Sequence, residues 1–326
     1  MVKTNHKEEV ASRDIIFLLG QIVKAARPVH WTKNLSLFAA LIFSGTLFAE
    51  SYFLKVFLAF IAFSFATSAT YVFNDILDVE SDRLHPIKKF RPYASKELPL
   101  VLAVVAIFFF VLLALYLASL LSPLFFLAVI GYLSLQTSYS LGLKNLSTVD
   151  ILIIASGFMI RVYAGAFVID AHLSVWFLLC VISVALFLAA GKRRAELGII
   201  FGEKNQTRVS LLSYKRELLN SYVTMFGNAT WMSWALFTFF ESPTTTTPVW
   251  LFLAELSKAT AISKLLMATI PVVIFGIMRY QALIFENKSE APEKVLLTDK
   301  SLILSIFIWV TLVVWIIYGG VAGTGV

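Results

Sequence analysis

Cysteine is almost absent: Cys180 stands alone inside an apolar run, so no intrachain disulfide can staple this chain. Such a thiol usually serves only to pack. Charge is scarce too, at 14% of residues against about a quarter in an ordinary soluble domain. Histidine is limited to His6, His30, His85 and His172, isolated and without HExxH spacing, which argues against a zinc site. There is no Walker-A loop, GxGxxG turn or GxSxG elbow, so the usual nucleotide-binding and hydrolase readings have no carrier. Low-complexity tracts and long linkers are missing as well. Residues 67–92 and 187–216 each lead from a helix into a polar stretch, a likeness too thin for an internal repeat. The opening MVKTNHKEEVASRD is polar and of mixed charge, which speaks against a cleaved signal peptide and for a retained first span.

What fills the chain is apolar sequence: 59% of its 326 residues are hydrophobic, with 29 Phe. Runs near 35–49, 53–76, 99–120, 123–140, 149–168, 174–190, 221–240, 262–280 and 301–320 approach the ~20 residues that cross a bilayer. The expectation is an all-α polytopic membrane protein of about nine spans. Residues 1–26 read as an arm, amphipathic from Ile15 to Ala26 and suited to the interface; 27–326 read as one transmembrane domain. A short interfacial helix is expected over 248–258.

Net charge is +7, and its distribution is one-sided. All but Lys55, Lys258, Lys264 and Arg161 of the 27 Lys and Arg fall on one set of alternate loops. That asymmetry predicts a cytoplasmic N-terminus, a cytoplasmic polar cap and an outside tail, VAGTGV. Anchoring to anionic lipid would explain the bases alone, but not the acids placed among them.

Those acids lie where the second span runs out: ATSATYVFNDILDVESDRLHPIKKFRP. On a helix, with Asn74 at zero, Asp75, Asp78 and Asp82 fall at about 100°, 40° and 80°, roughly a quarter of one face. Three carboxylates so close repel unless a cation sits between them. Hard oxygen ligands that leave positions open for phosphate suit Mg²⁺. The alternative, a solvated acidic helix end, places acids where they oppose the macrodipole. Arg83, Lys88, Lys89 and Arg91 follow at once, bracketed by Pro86 and Pro92. Acids for a metal beside bases for phosphate point to a phosphorylated, metal-bound donor.

Three further clusters share that side. Tyr139 and Lys144 precede Asp150, which heads a helix whose Asp150, Gly157, Arg161 and Gly165 form one stripe. An arginine inside a span faces a cavity or a partner, and a structural ion pair is the alternative. GKRRAEL supplies Lys192, Arg193 and Glu196, for which a local surface pair is the alternative. RPVHWTKN supplies Arg27, Trp31, Lys33 and Asn34; Lys33 suits phosphate or interface anchoring equally. Arg279, Glu293 and Asp299 read simply as a charged loop.

The motif N-D-x-x-D-x-x-x-D leaving a second span resembles the UbiA prenyltransferase superfamily. RPVHWTKN, HPIKKFRP, YSLGLKNLSTVD, GKRRAEL and the loop RYQALIFENKSEAPEKVLLTD resemble one branch of it, which moves phosphoribosyl groups onto decaprenyl phosphate. The resemblance runs from about Arg27 to Trp315. It implies a UbiA-like helical bundle, Mg²⁺ as cofactor, and transfer of 5-phosphoribosyl from phosphoribosyl diphosphate to a polyprenyl phosphate, releasing diphosphate, for a decaprenylphosphoryl-arabinose-type precursor. Aromatic prenyltransferases of the superfamily carry a second Asp-rich motif where this chain has GKRRAEL, so a prenyl diphosphate donor with an aromatic acceptor is the alternative reading. Asn74, Asp75, Asp78 and Asp82 are then the expected metal-binding catalytic set. Lys33, Arg83, Lys88, Lys89, Arg91, Tyr139, Lys144, Asp150, Arg161, Lys192, Arg193 and Glu196 are the expected substrate contacts. The plasma membrane is the expected location; a homo-oligomer is compatible with the sequence, and no nucleic-acid partner is expected. A transporter is a rival class, but its site would sit near the midplane, not at one face.

Overall fold

A computed structural model describes residues 15–200, 214–241, 260–286 and 298–318, and these are helical with no strand among them. The helices are α1 (Ile15–Ala26), α2 (Phe38–Phe43), α3 (Glu50–Leu77), α4 (Val79–Leu84), α5 (Leu100–Ser119) and α6 (Pro123–Leu141). They continue with α7 (Val149–Ile169), α8 (Val175–Ile200), α9 (Arg216–Phe240), α10 (Ile270–Phe285) and α11 (Lys300–Tyr318). Two longer 3₁₀ segments, Pro28–Leu37 and Thr260–Thr269, lead into α2 and α10.

Among the described residues, seven helical stretches are long and apolar enough to cross a bilayer: α3, α5, α6, α7, Val175–Leu197 of α8, Leu265–Phe285 and α11. The protein is a multi-pass membrane protein. Two of the nine expected spans, 35–49 and 221–240, are not among these seven. The stretch 35–49 is divided between the end of a 3₁₀ segment and the short α2, so it forms no single long helix. Helix α9 has 25 residues but carries Asn220, Ser221, Thr224, Asn228 and Thr230, which dilute its apolar character. The segment 248–258, Glu293 and the tail VAGTGV lie outside the described residues.

Packing runs around the bundle: α3 against α5 and α6, α6 against α7, α7 against α8, α8 against α9, and α10 against α9 and α11. Small residues set the closest approaches. A Cβ on Gly165 would sit 2.0 Å from the Leu37 carbonyl oxygen, so only glycine lets the 3₁₀ segment lie on α7. At Gly191 a Cβ would lie 2.8 Å from the Tyr280 hydroxyl, which is how α10 reaches α8. Helix α6 starts cleanly: Ser122 Oγ accepts from Phe125 N at 3.1 Å, and Pro123 occupies the first turn, where its missing N–H costs nothing. Between α1 and the 3₁₀ segment, Arg27 takes a left-handed conformation (φ 52°), turning the chain over the end of α3.

Candidate functional site

A cavity of about 330 Å³ opens at the end of the bundle where α3 ends and α7 begins. Its walls come from the 3₁₀ segment, α3, the loop after α4, α6, α7 and α8. Six permanent cations line it (Arg27, Lys33, Lys88, Arg91, Arg161 and Lys192) against two carboxylates, Asp78 and Glu196. Such a balance suits a ligand carrying several negative charges.

The acidic set is arranged differently from a single four-ligand cluster. Helix α3 ends at Leu77, and Asp78 stands between α3 and α4. Across that break the four residues fall into two stripes by their partners, Asn74 with Asp78 and Asp75 with Asp82. Arginines claim the second stripe. Arg91 Nη1 donates to Asp75 Oδ1 at 3.1 Å and to Asp82 Oδ2 at 2.5 Å, and Arg27 also pairs with Asp75. Asp75 and Asp82 are buried, each 2% exposed. The other stripe faces the cavity: Asn74 Nδ2 donates to Asp78 Oδ2 at 2.9 Å, Ser140 Oγ donates to Asn74 Oδ1 at 3.2 Å, and Lys144 pairs with Asp78.

These positions test the fit of Mg²⁺. Among the described residues, no group of three or more His, Cys, Asp or Glu side chains is placed to hold a metal ion. Mg²⁺ needs no such cage, because it keeps waters and takes one or two carboxylates plus substrate phosphates. Asn74 and Asp78, side by side on the cavity wall, fit that mode. Asp75 and Asp82 hold two of the cavity's three arginines, Arg27 and Arg91.

Arg161 sits at the buried end, 5% exposed. Its guanidinium donates to Asn34 Oδ1 at 2.7 Å, Gly157 O at 2.7 Å and Tyr132 OH at 2.8 Å. Asn34 is itself held by Ser64 Oγ at 3.2 Å. The charge is therefore fixed in place by neutral acceptors and left available to an anion. Arg27 lies over the Tyr71 ring at 5.0 Å, and His30 packs on the same ring.

The third cluster has an inner and an outer part. Tyr139, Lys192 and Glu196 line the cavity. Arg193 and Asp150 lie behind them as a fully buried ion pair, 2.5 Å apart. Arg193 donates to Tyr139 OH at 2.7 Å and pairs with Glu196. Tyr214 OH donates to Asp150 Oδ1 at 2.7 Å and accepts from the Thr148 backbone N–H. Burial, and then Asp150 as acceptor, holds the Tyr214 phenol above its usual range.

Of the sixteen residues expected at the site, Asn74, Asp78, Lys33, Lys88, Arg91, Tyr139, Arg161, Lys192 and Glu196 line the cavity. Asp75, Asp82, Lys144, Asp150 and Arg193 stand directly behind that lining. Arg83 and Lys89 are not brought to it: Arg83 is exposed and donates to Ala94 O at 3.2 Å, and exposed Lys89 covers the Phe90 ring. Arg279 is also elsewhere, in a two-pronged pair with Asp299 (3.1 and 2.6 Å) that joins α10 to α11. The hydrogen bond from Arg279 holds the Asp299 carboxyl below the usual range. Sequence reasoning missed Tyr132 and Gln136 and set His30 aside. The signal was present on α6, where Tyr132, Gln136, Tyr139 and Ser140 make a polar stripe at helical spacing in an apolar helix.

The sequence signature of the UbiA prenyltransferase family matches residues 34–294. The chain is 35% identical over 305 residues to a decaprenyl-phosphate phosphoribosyltransferase of Corynebacterium glutamicum, covering 92% of this chain and 88% of that one. It is 33% identical over 310 residues to the protein of the same description from Mycobacterium tuberculosis, covering 94% and 97%. Among solved structures, a UbiA homologue from Archaeoglobus fulgidus bound to DMAPP and Mg²⁺ superposes with a TM-score of 0.63 at 18% identity, covering 93% of this chain and 100% of that one. At that identity the likeness is one of fold.

Proposed function

The chain belongs to the UbiA prenyltransferase family, and from that premise we propose that it transfers a 5-phosphoribosyl group from phosphoribosyl diphosphate to a polyprenyl phosphate, releasing diphosphate. One observation carries this reading: a single cavity in which six cations outnumber two carboxylates, at one end of a membrane bundle. Both substrates of this reaction are phosphate esters, with three phosphates on the donor and one on the acceptor, and together they demand more positive than negative side chains. The identity to two phosphoribosyltransferases over most of the chain supports the same assignment.

The donor's diphosphate takes the side of the cavity formed by Asn74, Asp78, Arg27, Lys88 and Arg91. Mg²⁺ held by Asn74 and Asp78 would neutralise charge that grows on the departing diphosphate. Arg91, kept in register by Asp75 and Asp82, and Arg27, kept by Asp75, orient the same group. Arg161 and Lys33 hold the 5-phosphate at the buried end. Lys192 aligns the acceptor phosphate. The bond from ribosyl C1 to the diphosphate oxygen breaks with its electron pair leaving on diphosphate, and an acceptor phosphate oxygen bonds to C1. C1 acquires oxocarbenium character between the two, as in other glycosyl transfers. The acceptor is already anionic near neutral pH, so no side chain need remove a proton. One displacement inverts the configuration at C1.

The basic loops favour a cytoplasmic cap on the plasma membrane, where a soluble donor meets a lipid acceptor. The experiment is incubation of the purified protein with labelled phosphoribosyl diphosphate and polyprenyl phosphate, with and without Mg²⁺. A labelled lipid formed only with Mg²⁺ is expected. No labelled lipid, together with consumption of a prenyl diphosphate in the presence of an aromatic acid, would overturn the reading.

A further inference from the structure

Gln136 lines the cationic cavity from α6, half-buried, and its side-chain amide makes no hydrogen bond to any described residue. The other amides of the site are engaged: Asn74 bonds Asp78 and Ser140, and Asn34 bonds Ser64 and Arg161. A glutamine amide offers two N–H donors and an acceptor oxygen. On an apolar span such a group costs free energy until a polar partner meets it.

Its place follows from the ridge it shares. Tyr132, Gln136 and Ser140 succeed one another at i,i+4 on α6, each step roughly 6 Å along the axis. Tyr132 OH accepts from Arg161 at 2.8 Å, and Ser140 Oγ donates to Asn74 Oδ1 at 3.2 Å. Gln136 therefore stands one turn from each, between the fixed guanidinium and the Asn74–Asp78 pair. Helix α7 leaves it room at Gly157. A Cβ there would lie 3.2 Å from Gln136 Nε2 and 3.5 Å from Arg161 Nη1, so amide and guanidinium come together over bare backbone.

We propose that Gln136 selects the sugar: its amide oxygen accepts from one of the ribosyl 2- and 3-hydroxyls, and its amide N–H donates to the other. The proposal rests on the phosphoribosyl-transfer reading and adds the group that recognises the pentose. With the 5-phosphate on Arg161 and the diphosphate at Asn74 and Asp78, the ring between them passes Gln136. A phosphate suits this amide poorly, because its anionic oxygens have no hydrogen for the amide oxygen, whereas a hydroxyl both donates and accepts. The lipid phosphate brings no hydroxyl, so the ribosyl pair is the match on either substrate. A prenyl diphosphate brings none either and would leave the amide unmet, at a cost in affinity.

The test compares donors across one position. Gln136→Leu and Gln136→Met each remove the amide and keep an apolar side chain of similar bulk. Both should lower kcat/KM for phosphoribosyl diphosphate about tenfold or more, the loss expected for hydrogen bonds to two hydroxyls. With donors lacking the 2- or the 3-hydroxyl the loss should be smaller, and with a donor lacking both the variants should match the unsubstituted protein. The intrinsic reactivity of a deoxy sugar cancels in that comparison, and turnover of the dideoxy donor shows that the variants fold. A second measurement uses the unsubstituted protein alone: each deoxy donor should compete with labelled phosphoribosyl diphosphate about tenfold less well than the unlabelled donor does. An equal loss with every donor puts the amide on a phosphate or in the packing, and equal competition by the deoxy donors means that the hydroxyls go unread; either result overturns the proposal. Failure of the unsubstituted protein to form any labelled lipid overturns the underlying reading, and this proposal with it.

Discussion

Asp150 and Arg193 form an ion pair 2.5 Å long with both side chains wholly buried. Arg193 does not line the cavity itself; it holds Tyr139 and Glu196, which do. Two fully desolvated charges of this kind depend on each other. Removing one partner strands the other, at a cost of about 3–5 kcal/mol. Asp150→Asn should therefore lower thermal stability in detergent by an amount of that order and abolish transfer. Arg193→Lys should fail to rescue, because one ammonium cannot serve Asp150, Tyr139 and Glu196 in the directions a planar guanidinium reaches. Lys192→Ala, one residue away but on the cavity wall, should unfold at the unsubstituted temperature while transfer falls. Equal melting of Asp150→Asn and Lys192→Ala would reject the distinction.

The two acidic stripes at the end of α3 separate by their response to Mg²⁺. Asp78→Asn should raise the Mg²⁺ concentration for half-maximal transfer about tenfold or more, the range typical for a disturbed metal site. Asp82→Asn should leave that concentration in place and raise KM for phosphoribosyl diphosphate, since Arg91 loses its 2.5 Å partner. A Mg²⁺ titration of the two variants checks this. Identical shifts would restore a single four-ligand metal cluster.

Much of this site was legible in the sequence because charge inside an apolar chain is conspicuous. Arg161 on its span, Asp78 at the end of α3 and Lys192 at the end of α8 all stand out against their neighbours. What could not be read was which charges neutralise one another. Asp75 and Asp82 share a face with Asn74 and Asp78 on a straight helix, but Arg27 is 48 residues from Asp75 and approaches only because of the left-handed turn at its own backbone. Arg83 and Lys89 looked like their neighbours Lys88 and Arg91, and only the path of the chain through α4 and the loop after it turns two inward and two outward. The form of the first span was hidden for a related reason: hydropathy sees 35–49 as continuous, whereas close packing on Gly165 holds its beginning as a 3₁₀ segment.

Gly165→Ala tests that packing. The added methyl group would lie 2.0 Å from the Leu37 carbonyl oxygen, a backbone atom that cannot rotate aside. The 3₁₀ segment must lift, and the 2.7 Å bond from Arg161 to Asn34 lengthens with it. Overpacking of this kind costs about 1–3 kcal/mol, visible as a lower melting temperature with reduced transfer. Gly157→Ala is the control: its methyl would meet the tip of Gln136 at 3.2 Å, a flexible side chain that can move. It should melt normally and affect only substrate KM.

Tyr214 makes a pH-dependent prediction. Its hydroxyl donates to Asp150 and accepts from Thr148 N–H, tying the start of α9 to the start of α7. Burial, reinforced by Asp150, raises its folded pKa above the unfolded value near 10. A phenol shifted upward binds its proton more tightly when folded, so its contribution is fully present below about pH 10 and declines as pH rises through the folded value. Tyr214→Phe should destabilise the protein at pH 8 by about 1–3 kcal/mol, because Asp150 Oδ1 and Thr148 N–H each lose a partner. Between about pH 10 and 11 the unsubstituted protein should lose stability faster than the variant, so that the gap between their melting temperatures narrows. Melting curves at pH 8 and across that window check both halves. A gap that widens with pH would mean that the Tyr214 phenol ionises more readily in the folded protein than in the unfolded chain.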